Sequence, residues 1–401
     1  MKIGIMLRHF DQHGGGVWVY TRNLLREIAG LDVPHKFVLI YSDPRFVGTY
    51  GDGKRIREVA VKAPHPVLWD QFAVAQVAKR EKFDLIFNPK YSIPLNVNCP
   101  TVWVCHGLDW YLAPEWSRLG DRLSHRFLIP QYARKARAII AVSNTTKEQL
   151  RQYLSVKESR VHTVYHGLDE TFSGTVGSEI KEQTRLKHKL PDRFFLYVGQ
   201  IYPPKNFGRL LEAFARVGPS RGIHLVVAGT HTSLCKHELK MIRDLNLESW
   251  VLQAGWVDHD TLPAFYAMAT ALVMPSLYES FGMPVLEAMS AGCPVLTADR
   301  HGTRELAEGA AILVNPEQVE DIAQGMSILA TNEQYCARLI QAGRQRASSF
   351  SWQRCAVETL RVLEASASTG AQSEQLKACP RPALFADGQH LSYPTRHPAN
   401  N

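Results

Sequence analysis

Pro275-Ser-Leu-Tyr-Glu279-Ser-Phe-Gly282-Met-Pro284-Val-Leu-Glu287-Ala-Met-Ser-Ala-Gly292-Cys-Pro294 is the stretch that decides how this 401-residue chain is read. The apolar run ahead of it, Ala269 to Met274, is too short for a helix and reads as a buried strand. Pro284 suits a first helical position, where no amide hydrogen is needed, and Gly292-Cys-Pro294 closes the helix. Gly282 lets the backbone approach a ligand just ahead of that helix. Two carboxylates, Glu279 on the loop and Glu287 one turn inside the helix, accompany a strand-to-helix turn whose free amides suit an anion or a ring of hydroxyls.

Outward from this stretch the chain alternates strands and helices. Lys2 to Leu7 reads as a strand, followed by Gly14-Gly-Gly16 and a helix from about Val17 to Ala29 with Trp18, Leu24, Leu25 and Ile28 on its apolar face. Amides at that helix start suit an anion, although three glycines serve equally as a flexible turn, and the dinucleotide fingerprint GxGxxG is absent. Further buried strands are expected near Phe37–Tyr41, Asp84–Asn88, Thr101–Cys105, Ala138–Val142 and Arg160–Val164. Helices fit at about Val67 to Lys82, Arg122 to Lys135, and from a Ser143-Asn144 cap to Leu154. A second series opens at Phe194–Val198 and runs through Gly199-Gln200, Lys205-Asn206, His224–Gly229 and Trp250–Ala254 to the central stretch. Asp299 to Glu305 reads as a loop, and helices are expected at Val319–Ala330, Glu333–Ala347 and from Trp352 to about Ala365. Such βαβ order implies mostly parallel sheets with ligands at the carboxyl ends of strands.

Composition bounds the function classes. The chain is long enough for two domains, and 45% apolar with 21% charged residues describes a globular protein. No run of about 18 apolar residues suggests a membrane span, and the start breaks into Arg8-His9 too early for a signal peptide. Seven cysteines without a CxxC or zinc spacing read as reduced thiols of a cytoplasmic protein. A net charge of +8 favours anionic partners, yet no helix-turn-helix, zinc finger or RNA-binding aromatic pattern points to nucleic acid. Arg118 to Arg137 interleaves basic residues with Leu123, Phe127, Leu128, Ile129 and Tyr132, the pattern of a helix that lies on an anionic membrane or of a solvated helix face. Pro130 is expected to interrupt that surface. Asp258-His-Asp260 matches a DxD metal motif superficially. Its place before the helix Thr261 to Ala269 makes Asp260 an expected N-cap, and no metal or other cofactor is expected.

The Pro-Ser-x-Tyr-Glu-Ser-Phe-Gly context, with Glu287 eight residues after Glu279, resembles the donor-site signature of retaining glycosyltransferases of the GT-B fold, family 4 above all. The resemblance covers roughly residues 1 to 365. It implies an α/β chain with two Rossmann-like domains facing across a cleft: residues 1–169 for the acceptor, a linker at 170–190, residues 191–350 for the donor, and a helix at 351–365 crossing back, with a disordered tail from 366. It further implies transfer of a hexosyl group, mannose-like by preference, from a nucleoside-diphosphate sugar to a hydroxyl of a glycan or lipid-linked acceptor.

By the same resemblance Gly15 and Gly16 lie under the diphosphate, with Gly199, Gln200 and Lys205 as further donor contacts. Relatives usually carry Arg where this chain has Gln200, so Lys205 must neutralise more of the phosphate charge. Gly255-Trp256-Val257 resembles the base-binding turn. Glu287 would bind the ribose, Glu279 the sugar hydroxyls, and the amides of Phe281, Gly282 and Met283 sugar and phosphate. His106, in a His-x-x-Asp pattern, would face the donor sugar, and Asp109 would orient it or bind acceptor. The alternatives are a phosphorylase or epimerase on the same fold, or a non-catalytic nucleotide-sugar-binding protein. Location at the membrane face, by weak association with anionic lipid, is a further expectation.

Overall fold

Two runs of short apolar segments each build one parallel sheet in the computed structural model, which describes residues 1–11, 15–116, 119–232 and 235–368. The first sheet contains β1 (Lys2–Leu7), β2 (Lys36–Tyr41), β3 (Ile56–Ala60), β4 (Leu85–Asn88), β5 (Thr101–Cys105), β6 (Ala138–Ala141) and β7 (Val161–Thr163), ordered β3-β2-β1-β4-β5-β6-β7. The second contains β8 (Phe194–Val198), β9 (His224–Ala228), β10 (Val251–Gly255), β11 (Ala271–Met274), β12 (Val295–Ala298) and β13 (Ile312–Val314), ordered β10-β9-β8-β11-β12-β13. Central strands such as β4, β8 and β11 are buried along their whole length, which is why they read as unbroken apolar runs. In each sheet the order reverses once, between β1 and β4 and between β8 and β11, and crevices open at the carboxyl ends beside such reversals. The glycine turn follows β1, Lys205 follows β8, the central stretch follows β11, and His106 follows β5.

The C-terminal helix Trp352–Ala367 packs on the first sheet beside helix Gly16–Gly30. Ser351 caps it by accepting from the Arg354 amide, and His35 Nε2 meets Glu364 Oε1 at 2.7 Å. Its seat depends on Gly167, since a Cβ there would stand 2.1 Å from the Trp352 nitrogen. A second tie joins the two halves near the cleft. The Glu305 carboxylate accepts from the amides of Asn144 (2.9 Å) and Thr145 (3.0 Å) and from the Tyr165 hydroxyl (2.7 Å). A carboxylate placed there satisfies the orphan donors of helix Asn144–Leu154 and complements its dipole.

Several expectations need correction. The run 170–190 contains a helix, Ser178–His188, packed against helix Leu262–Met268. Asp299 to Glu305 is no loop: helix His301–Ala307 begins there. Thr261 occupies the cap of helix Leu262–Met268 without a side-chain bond, and the Asp258 carbonyl receives the Thr261 amide at 2.9 Å, so Asp260 is not the cap. Pro130 sits inside helix Leu119–Lys135, which continues through it. A π turn, Trp69–Ala73, splits the helix expected near 67–82. The last helix extends to Ala367, past the expected start of the tail, while the rest of that tail from 369, with Gly14 and Arg118, lies outside the described residues.

Gly167→Ala places a methyl against backbone that cannot rotate away, so it should lower stability by about 1–3 kcal/mol. Thermal unfolding measures this, and an unchanged Tm would contradict the close approach.

Candidate functional site

The strand-to-helix turns after β8 and β11 are sewn together before any ligand is considered. Asn206 adopts a left-handed backbone (φ 58°), and its buried Nδ2 donates to the carbonyls of Pro275 (2.9 Å) and Pro316 (2.6 Å). The Leu277 amide donates to the Pro204 carbonyl at 2.7 Å. Across this junction Lys205 Nζ meets Glu279 Oε1 at 2.5 Å, with both side chains nearly buried, and Ser276 Oγ donates to the same oxygen at 2.9 Å. Burial works against the Lys205 charge, but Glu279, Tyr202 and Asp109 outweigh it and hold its pKa above the ordinary lysine value. The Tyr202 ring centroid lies 5.7 Å from the ammonium.

The first sheet supplies the facing groups. Burial raises the pKa of the Asp109 carboxyl, which feels both Lys205 and Glu279. His106 Nε2 lies 2.7 Å from the Pro89 carbonyl, so that nitrogen donates and Nδ1 is left as an acceptor. Burial, with Lys90 adding in the same direction, pushes its pKa down to about 4 against the bond to Pro89, so the ring is neutral at pH 7. Tyr20 packs edge-on against that ring at 4.8 Å. Gly15, with φ 103°, caps helix Gly16–Gly30, and a Cβ on Gly16 would come 3.0 Å from the Met283 methyl. The glycine turn of one half therefore meets the start of helix Met283–Ser290 of the other. Gly282, with φ 104°, caps that second helix, and Pro284 lies within its first two positions.

Glu287 is buried one turn in. Tyr266 donates to its Oε2 at 2.9 Å, and His259 Nε2 stands 3.5 Å from Oε1. A small hollow lined by Val19, Leu168, His259, Met283 and Glu287 adjoins it. Phe281 is buried between His166 (4.8 Å) and Phe350 (5.8 Å), a packing role that leaves only its backbone for a ligand. Val257 is buried, whereas Trp256 is 58% exposed and Gln200 is exposed beside Gly199. The structure thus brings Asp109, Lys205 and Glu279 together, seats Gly107, next to His106, against Tyr278 and Ser280, and sets Glu287 on the adjoining helix. A larger cavity of about 800 Å³, lined by Arg26, Asp169, Ser290, Arg344 and Trp352, lies beneath the C-terminal helix start and shares Leu168, Asp169 and Trp352 with that hollow. Among the described residues no group of three His, Cys, Asp or Glu is placed to hold a metal ion.

Sequence reasoning missed Tyr202, Tyr266, Tyr278 and His259. The partners of Tyr266, His259 and Tyr278 are remote in sequence, and although Tyr278 and His259 lay inside quoted motifs, neither had a role assigned there. Chemically, a paired buried cation, a neutral imidazole and two helix starts in one crevice suit a ligand with a phosphate end and a hydroxylated end.

Comparison with known proteins agrees with that chemistry. The model of glycosyltransferase family 4 matches residues 14–172, and that of glycosyl transferases group 1 matches residues 178–346. The serotype-specific mannosyltransferase WbdA of Escherichia coli is 29% identical over 300 residues, which cover 72% of this chain but only 37% of that protein's length. The O-antigen chain mannosyltransferase RfbU of Salmonella typhimurium is 23% identical over 359 residues, covering 83% of this chain and 94% of RfbU. Among solved structures, Anabaena Alr3699/HepE in complex with UDP-glucose superposes with a TM-score of 0.73 at 20% identity, covering 91% of this chain and all of that one. The shared architecture is the GT-B fold of two facing Rossmann-like units.

The histidine at the cleft has a measurable signature. Its folded pKa, about 4, lies below the ordinary 6.5, so the unfolded state binds more protons between those values. His106 therefore contributes stability that is fully present above pH 6.5 and is lost as the pH falls towards 4. Nuclear magnetic resonance of His106 should show no titration until the pH is well below 6, and a midpoint near 6.5 would contradict the buried neutral ring.

Proposed function

We propose, for a chain that belongs to the group 1 and family 4 glycosyltransferases, that the cleft moves a hexosyl group from a nucleoside-diphosphate sugar to an acceptor hydroxyl with retention at the anomeric carbon. The observation that carries this reading is the Lys205–Glu279 pair just ahead of helix Met283–Ser290, with Asp109 near enough to feel both charges. The acceptor oxygen attacks the anomeric carbon as its bond to the β-phosphate oxygen breaks, and the acceptor proton passes to that leaving oxygen. Lys205 and the amides at the starts of helices Gly16–Gly30 and Met283–Ser290 stabilise the charge that develops on the diphosphate. Glu279 holds sugar hydroxyls while steering Lys205, and neutral His106 offers Nδ1 as an acceptor to the sugar. Glu287 takes the ribose hydroxyls, oriented by Tyr266. Gly199 and Gln200 line the diphosphate, and the turn at Trp256 and Val257 meets the base. Asp109 stands where an acceptor hydroxyl would approach.

The mannosyltransferase relatives support a mannose-like hexose, and the O-antigen chain named for two of them supports a glycan acceptor, free or lipid-linked in this proposal. The test is release of nucleoside diphosphate from a panel of sugar nucleotides, with and without glycan acceptors. Release that needs an acceptor, and a product of unchanged anomeric configuration, supports retaining transfer. Phosphate-dependent release of hexose phosphate would favour a phosphorylase, and binding without release a non-catalytic protein. Glu287→Ala should weaken nucleoside-diphosphate binding by about 1.5–3 kcal/mol, the contribution of a charged hydrogen bond. Unchanged affinity by calorimetry would remove Glu287 from the site.

Among the described residues no helix is long and apolar enough to cross a membrane. Helix Leu119–Lys135 nevertheless turns Leu123 (53%) and Phe127 (61%) outward, with Arg126, Arg134 and Lys135 also exposed, while Ile129, Tyr132 and Ala133 hold it to the core. We read that face as a weak contact with anionic lipid, worth about 1 kcal/mol per basic residue near the surface. Liposome flotation should show binding that needs anionic lipid and falls with salt. Binding undiminished in a Leu123→Ser, Phe127→Ser, Arg126→Gln, Arg134→Gln variant would make this an ordinary solvated face.

A further inference from the structure

We propose that Tyr278 is a positioning residue whose hydroxyl assembles the two halves of the cleft through a hydrogen-bonded chain that crosses between them three times. This rests on the transferase reading above, because what Tyr278 positions is the His106 loop against the Glu279 loop.

The chain can be followed atom by atom. The Leu108 amide, from the first half, donates to the Tyr278 hydroxyl of the second at 2.9 Å. That hydroxyl donates to Gln149 Oε1 of the first half at 2.8 Å. Gln149 Nε2 stands 3.5 Å from His301 Nδ1 of the second. Burial, reinforced by Arg300, lowers the His301 pKa and keeps that nitrogen an acceptor. The His301 ring also packs on the Tyr278 ring at 4.9 Å. Leu108, Tyr278 and Gln149 are all at most 6% exposed, so neither bond of the Tyr278 hydroxyl can be exchanged for water without opening the cleft.

Position in the chain gives these bonds their consequence. Tyr278 directly precedes Glu279, and Leu108 lies between His106 and Asp109. The hydroxyl thus fixes the two loops that bear all three facing groups. Two backbone features make room for the contact. Gly107 has φ 137°, and a Cβ there would meet the Tyr278 oxygen at 3.1 Å and Ser280 Cβ at 3.2 Å. His301 opens its helix at φ 53°, a conformation costly for a side chain of its size, and one that persists where surrounding contacts fix it.

Tyr278→Phe deletes the two hydroxyl bonds and keeps the ring on His301, and the full chain is used throughout. Amide hydrogen exchange at Leu108 should quicken by about tenfold or more, the equivalent of one lost buried hydrogen bond. Under the transferase reading kcat should fall about tenfold with a much smaller change in donor KM, since Lys205, Glu279 and Glu287 all remain. Gln149→Met, which keeps Tyr278 on the Leu108 amide but removes the next link, should give a smaller loss of the same kind and serves if Tyr278→Phe does not fold. Unchanged Leu108 exchange in Tyr278→Phe overturns the proposal. So does faster exchange with unchanged kcat, or a parallel loss of nucleoside-diphosphate affinity and thermal stability, which marks a merely structural tyrosine. If no sugar nucleotide is turned over by the wild-type chain, the transferase reading fails. In that case exchange at Leu108, with small-angle scattering of the two variants, still decides whether the chain holds the halves together.

Discussion

The contact between Lys205 and Glu279 is the constraint around which the second half of the molecule is arranged. Neither charge is stable alone at that depth. An uncompensated buried ion costs several kcal/mol, so the two turns that bear them must stay in register. The register comes from the sheet, where β8 and β11 are neighbours although 72 residues separate the end of one from the start of the other. Asn206 adds two carbonyl bonds that lock one turn to the next. In the proposed reaction an entering diphosphate would meet a lysine already charged and held, with little reorganisation left at the moment charge develops.

The first half closes the site rather than building it. Asp109 reaches the pair, and Gly16 the start of helix Met283–Ser290, only because the two sheets face each other, and that relation is kept by bonds of three kinds. The C-terminal helix returns to the first sheet over Gly167. Glu305 caps a helix of the opposite half. Tyr278 and its partners tie the loops nearest the chemistry. The first of these is a permanent packing contact, while the other two are polar and local, the sort that separate and re-form when a cleft opens for its substrates.

Much of this was legible in the chain. Doubly buried strands announce themselves as apolar runs, and the Pro284 and Gly292 signals placed the turn bearing Glu279 and Gly282 on a strand end and helix start, where it lies. What escaped did so for identifiable reasons. Edge strand β3, Ile56-Arg-Glu-Val-Ala60, is half polar because only one side is paired. Helix His301–Ala307 opens with a histidine at positive φ and a glycine, residues that read as loop until Glu305 is seen across the cleft. Asp260 fits the composition of a cap, yet the Asp258 carbonyl takes the amide. The Tyr278 hydroxyl finds its partners 170 and 129 residues away, a juxtaposition that no local pattern encodes.

The central claim is that Lys205 is held by Glu279 in order to meet a diphosphate. Calorimetry of wild type and Lys205→Ala with a nucleoside and with its diphosphate tests this most directly. The account predicts that the substitution weakens diphosphate binding by about 1.5–3 kcal/mol, the value of a charged hydrogen bond, and leaves the nucleoside nearly unaffected. Equal losses for the two ligands, or no loss for the diphosphate, would contradict it.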